Sequence, residues 1–197
     1  LQETVATRKR PITGVSEFPN VEETPLTRAP APAPTTPGGD PEAAPIPTAR
    51  LAEPFERLRD RADATDPVPT VFLANLGPVA AHTARAMWAK NFFEAAGVRA
   101  LDNDGFADGA TAAAAFGASD ARIAVICSSD KVYADLGADA ARALVDAGAE
   151  RVFLAGRPTD LLADLEAAGV GDFVHVGCPA LDILERTHDL LGTEVPS

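Results

Sequence analysis

The sequence predicts an α/β domain built on five parallel strands with helices on both faces. Three observations predict it. From residue 70 onward, short apolar runs alternate with longer amphipathic ones. The short runs are nearly continuous in Val, Ile and Phe, as expected of strands buried on both faces of a parallel sheet. Three Ala-rich stretches stop at Gly97, Gly148 and Gly169, and each is followed within a few residues by the next apolar run. Glycine suits the left-handed position just past a helix end.

The strands are expected at residues 70–74, 98–101, 122–127, 151–155 and 172–176. The helices are expected at 81–96, 106–116, 132–147, 159–168 and 180–191. So regular a repeat gives a doubly wound, Rossmann-like sheet of flavodoxin-like type.

The preceding residues divide in two. Residues 1–28 are polar but hold a structured-looking stretch at 11–20. Ala29-Pro30-Ala31-Pro32-Ala33-Pro34 then opens a Pro-rich run that reaches residue 49. Proline at every second position removes amide donors and holds the backbone extended, so this run reads as a semi-rigid exposed linker. Residues 51–64 read as a charged helix, with Leu51, Phe55 and Leu58 on one face. The expected divisions are therefore 1–28, 29–66 and 67–197.

Composition narrows the function. Of 197 residues, 46% are hydrophobic, enough for a real core, and the net charge is −12. Nucleic acid and anionic membrane surfaces would be repelled. No apolar run approaches the roughly 20 residues that span a bilayer. The first residues do not follow the basic, apolar and small-residue order of a signal peptide, and the sequence lacks a starting Met, as a fragment would. Cys127 and Cys178 lack metal-ligand spacing, and two strand spacings of about 4.8 Å would hold them apart. Free thiols in a reducing, cytoplasmic compartment are expected.

In such a sheet, ligands bind outside the carboxyl ends of the strands. The first loop there, from Asn75 through Gly77 and Pro78 to His82, has one glycine and no phosphate cradle. Ser128, Ser129 and Asp130 follow the third strand and read as a helix cap, or as a loop whose serine hydroxyls contact a ligand. Asp102, Asn103 and Asp104 follow the second strand. They suggest a phosphoryl-accepting receiver site, but Asn75 and Leu76 stand where it needs acids, so a turn and helix cap are expected. His82 alone among the histidines has a positional case. His175 is expected within the last strand, and His188 on an exposed helix. No catalytic residue and no metal site is expected.

Residues 7–20, Thr7-Arg8-Lys9-Arg10-Pro11-Ile12-Thr13-Gly14-Val15-Ser16-Glu17-Phe18-Pro19-Asn20, resemble the end of the catalytic TIM barrel in methylmalonyl-CoA mutases. In that family a linker and a cobalamin-binding domain follow, in the order seen here. The resemblance implies that residues 1–28 end a barrel domain and that 67–197 form a cobalamin-binding-type domain.

The family domain opens with a strand and Asp-x-His-x-x-Gly. The His ligates cobalt and the Asp orients it, as a carboxylate commonly does behind a ligating imidazole. Here Gly77 fits, but Val79 replaces the Asp, Ala81 the His and Ala84 the Gly. His82 comes one residue late, a rotation of about 100° on a helix. Ser128 and Ser129 match the family's Ser-rich loop, and Gly156 half-matches its Gly-Gly pair.

The resemblance therefore implies a non-catalytic small subunit with a degenerate site at Gly77, Val79, Ala81, His82, Ser128, Ser129 and Gly156. It implies a large catalytic partner in a heterodimer, and that this partner holds the adenosylcobalamin. A second reading is a binding module that still takes cobalamin without the usual His ligand.

Overall fold

The structure, a computed structural model, describes residues 1–23, 29 and 50–193. The expected linker lies outside the described residues except for its first residue, Ala29. Five parallel strands form one sheet: β1 (Thr70–Asn75), β2 (Arg99–Leu101), β3 (Ile123–Cys127), β4 (Arg151–Ala155) and β5 (Val170–Val174). Their order is β2-β1-β3-β4-β5, which is the flavodoxin-like topology.

Successive side chains on a strand point to opposite faces, so each strand feeds two cores. Val71, Leu73, Val125 and Phe153 enter one core, which the helices α2 (Glu53–Asp63), α3 (Val79–Glu94) and α8 (Ala180–Leu191) cover. Phe72, Ala74, Ile126 and Leu154 enter the other, beneath α4 (Gly109–Gly117), α6 (Ala138–Asp146) and α7 (Leu162–Ala167). Phe92, Phe93 and Phe153 interlock in the first core at centroid distances of 5.2 and 5.4 Å. Truncating one such ring to Ala costs about 3–5 kcal/mol. Gly97 turns the chain from α3 into β2 at φ +78 and packs against Ala62 of α2.

The segment after β3 is not one regular helix. α5 (Asp130–Val132) passes into a π-helical turn (Tyr133–Gly137) before α6 begins. α7 is likewise preceded by a 3-10 turn (Thr159–Leu161), which is why a single helix over 159–168 is not found. α4 starts at Gly109, three residues later than expected, because Asp108 supplies its cap by accepting from Thr111 N at 2.8 Å.

Three expectations need correction. β5 lies two residues earlier than expected. Residues 170–176 carry apolar residues at both ends, at Val170 and at Val176, and pairing with β4 selects Val170, directly after Gly169, as the start. His175 thus lies beyond the strand and is half-exposed. His188 is fully buried rather than exposed, because α8 turns it under the loop that ends α3. Leu51 is exposed and precedes α2, whose buried face is Phe55, Leu58 and Ala62.

Residues 1–20 dock against this domain. α1 (Gln2–Ala6) buries Val5, and a tight turn follows in which Ser16 Oγ accepts from Ile12 N at 3.0 Å. Arg8 Nη2 donates to Glu17 Oε2 at 3.0 Å and to Asn91 Oδ1 of α3 at 2.8 Å. Its guanidinium lies 5.7 Å from the ring centroids of both Trp88 and Phe92. Arg59 of α2 ties down the far side through the carbonyl of Asn20 at 2.8 Å.

Candidate functional site at the carboxyl edge of the sheet

β1 delivers the chain to Leu76 and Gly77, where two backbone bonds fix the loop. Leu76 N donates to the Cys127 carbonyl at 3.0 Å, and Gly77 N to the Phe106 carbonyl at 2.8 Å. Pro78, with extended backbone, starts α3 at Val79. Val79 points to solvent and is 59% exposed, while Ala81 is half-buried. His82 turns inward and is 4% exposed. Its ring lies against Gly105, where an added Cβ would come 2.7 Å from Nε2. Neither ring nitrogen has a hydrogen-bond partner.

Ser128 is fully buried just beyond β3. Its Oγ donates to the Leu76 carbonyl at 2.7 Å, and its backbone N–H donates to the Tyr133 hydroxyl at 2.8 Å. That hydroxyl in turn donates to the Ala155 carbonyl of β4 at 2.7 Å. Burial pushes the Tyr133 phenol and the Cys127 thiol well up, so both stay protonated. Cys127 is thereby a poor nucleophile. Ser129 caps α5, its Oγ accepting from Val132 N at 3.4 Å.

Arg85 of α3 spans the loops that follow β3 and β4. Its Nη1 donates to the Ser128 carbonyl at 2.7 Å and its Nη2 to Asp130 Oδ1 at 2.6 Å. Its guanidinium carbon sits 5.0 Å from the Tyr133 ring centroid. Gly156, at φ +116, allows this approach, since a Cβ there would come 2.9 Å from that carbon. A groove of about 280 Å³ continues past Arg85 along Ala84, Trp88, Ala155 and Val176.

The structure brings Ser128 and Gly156 together around Arg85, sets His82 aside against Gly105, and leaves Val79 in solvent. Sequence reasoning missed Arg85 and Tyr133. The available signal was charge, because Arg85 is the only charged residue between Val79 and Ala89. The acidic run after β2 makes a turn. Asp102 Oδ1 accepts from Asn103 N at 2.9 Å and from Asn75 Nδ2 at 2.9 Å, while the helix cap falls to Asp108. Among the described residues, no cluster of three or more His, Cys, Asp or Glu is placed to hold a metal ion. Among them, too, no helix is long and apolar enough to cross a membrane.

No family model matches the chain. It is 47% identical over 192 residues to a methylmalonyl-CoA mutase small subunit from Streptomyces virginiae, covering 95% of this chain and 29% of that one. Its homologues are methylmalonyl-CoA mutase small subunits. Another, from Porphyromonas gingivalis, is 33% identical over 96% of this chain and 30% of its own length. A probable one from Mycobacterium tuberculosis is 38% identical over 81% of this chain and 24% of its own length. The chain thus spans about three-tenths of the length of the first of these small subunits. A response regulator from Thermotoga maritima is 16% identical, with a TM-score of 0.43 over 64% of this chain and 98% of its own.

Cobalamin is the group that the sequence resemblance implies. At the edge described above, the residues present do not fit a corrin held through an axial nitrogen. Ala81 has no ligand atom, the His82 ring is buried against Gly105, and Arg85 occupies the space beside Gly156.

Proposed function

We propose that this chain is part of the small, non-catalytic subunit of an adenosylcobalamin-dependent methylmalonyl-CoA mutase, the isomerase that interconverts methylmalonyl-CoA and succinyl-CoA. Residues 1–28 close a preceding barrel domain, and residues 67–197 form a cobalamin-binding-type domain whose site is degenerate. The observation that carries this reading is homology to mutase small subunits combined with Val79 and Ala81 at the ligand-motif positions. On this reading the chain contributes an interface. A large catalytic subunit holds the cofactor and the substrate in a cytoplasmic heterodimer.

The test is co-expression of the full-length small subunit with the large one. A stable one-to-one complex is expected, with all the cobalamin on the large chain. A large chain that is fully active and stable alone, and that never co-purifies with the small one, overturns the proposal.

One observation favours the second reading, that of a module still binding cobalamin. His82 keeps two unpartnered nitrogens in a buried setting, where neutral imidazole normally satisfies at least one. Tight cobalamin binding by the purified small subunit, lost in His82→Ala, would move the assignment to that reading.

A further inference from the structure

The geometry points to Arg85 as the residue that keeps the sheet-edge crevice shut, an internal guanidinium standing where a flat ligand would lie. The inference rests on the small-subunit reading and adds the device that enforces it.

At the carboxyl ends of β1, β3 and β4 the exposed groups of a parallel sheet are normally what a ligand engages. Here side chains of the same domain already take them. Ser128 Oγ takes the Leu76 carbonyl, and Tyr133 takes both Ser128 N and the Ala155 carbonyl. Arg85 takes the remaining Ser128 carbonyl and the carboxylate of Asp130, with its plane near the Tyr133 ring. Two acceptors and an aromatic ring suit a planar cation with parallel N–H groups. A lysine would supply one point charge and could not bridge both acceptors in the same way.

The device is held lightly. The Arg85 side chain is 30% exposed and Asp130 is 62% exposed, so their ion pair is worth little more than an ordinary surface pair. The closure depends on shape and on occupied acceptors more than on a large energy. Removing the side chain leaves the Tyr133 face, the Gly156 backbone and the apolar groove toward Trp88 continuous with one another.

The experiment uses the full-length small subunit as wild type, Arg85→Ala and Arg85→Ser. Hydroxocobalamin binding is measured by equilibrium dialysis and visible spectra, with near-UV circular dichroism reporting the fold. The expected result is negligible binding by wild type and at least tenfold tighter binding by R85A. Methylguanidinium, added at millimolar concentration, should refill the vacated position and weaken that binding again, while methylammonium should not. A folded R85A that binds no more cobalamin than wild type overturns the inference and leaves the small-subunit reading untouched. Tight binding by wild type overturns both. Should R85A fail to fold, R85S decides, since it also empties the space beside Gly156: a gain supports the inference, and no gain overturns it.

Discussion

Two regions of this domain each bury a histidine, and they treat it oppositely. At the end of α8, His188 has every ring nitrogen answered. Nε2 lies 2.9 Å from the Ala96 carbonyl, which can only accept, so Nε2 carries the proton. Nδ1 then accepts from the Thr193 hydroxyl at 2.8 Å. At the start of α3, His82 is just as enclosed and has no partner at all. A satisfied ring fastens one element to another and accounts for its own burial. An unsatisfied ring costs stability and stays where packing allows, so the two sites differ in what their removal does.

The largest effect is expected at His188. His188→Ala strands the Ala96 carbonyl and the Thr193 hydroxyl and leaves a cavity. It should lower stability by about 3 kcal/mol in urea unfolding followed by circular dichroism. A loss below about 1 kcal/mol would erase the contrast between the sites.

The same ring sets a pH dependence. Burial lowers the His188 pKa from 6.5 to about 4. The unfolded chain therefore binds the proton first, and the contribution is complete above about pH 6.5. It is lost as pH falls toward about 4, at up to about 1.4 kcal/mol per unit. Unfolding free energies of wild type and His188→Ala across pH 4 to 7 should converge on acidification. Parallel curves would mean that folding leaves the ring's affinity for the proton unchanged.

Thr193→Val removes the hydroxyl that Nδ1 accepts from and should cost about 1–2 kcal/mol by thermal melting. The smallest effect is expected at His82. His82→Leu exchanges an unpartnered polar ring for an apolar group of similar bulk, so stability should hold or rise by about 1 kcal/mol. A drop beyond about 2 kcal/mol in the same melt would show that the His82 ring has a partner in solution.

The contrast also marks where the sequence is readable. The sheet was legible because each central strand is a continuous apolar run, as Ile123-Ala124-Val125-Ile126-Cys127 is, and such a run is buried whatever lies on either side. β5 was less so. As an edge strand it carries Gly171 and Asp172 inside it, which break the apolar run, while apolar residues continue past its end to Val176. His188 could not be judged locally, because the carbonyl that explains its burial lies 92 residues away. Arg85 was hidden for the same reason, since its partners are 43 and 45 residues distant along the chain. The degenerate motif at Val79 and Ala81 was plain from the letters alone. What took the place of the ligand was visible only once the β3 and β4 loops were brought to α3.

The π turn from Tyr133 to Gly137 has a consequence for how this edge stays closed. One extra residue in a helical turn rotates everything before it by about 100° relative to everything after it. Tyr133 packs in the same core as Ala140, Ala141 and Leu144, with its hydroxyl reaching the sheet edge. Deleting a single residue such as Ala134 turns Tyr133 by about 100° relative to α6. Tyr133 then swings off the edge, taking with it the partner of Ser128 N and the ring beneath Arg85. A one-residue deletion there is expected to open the sheet edge.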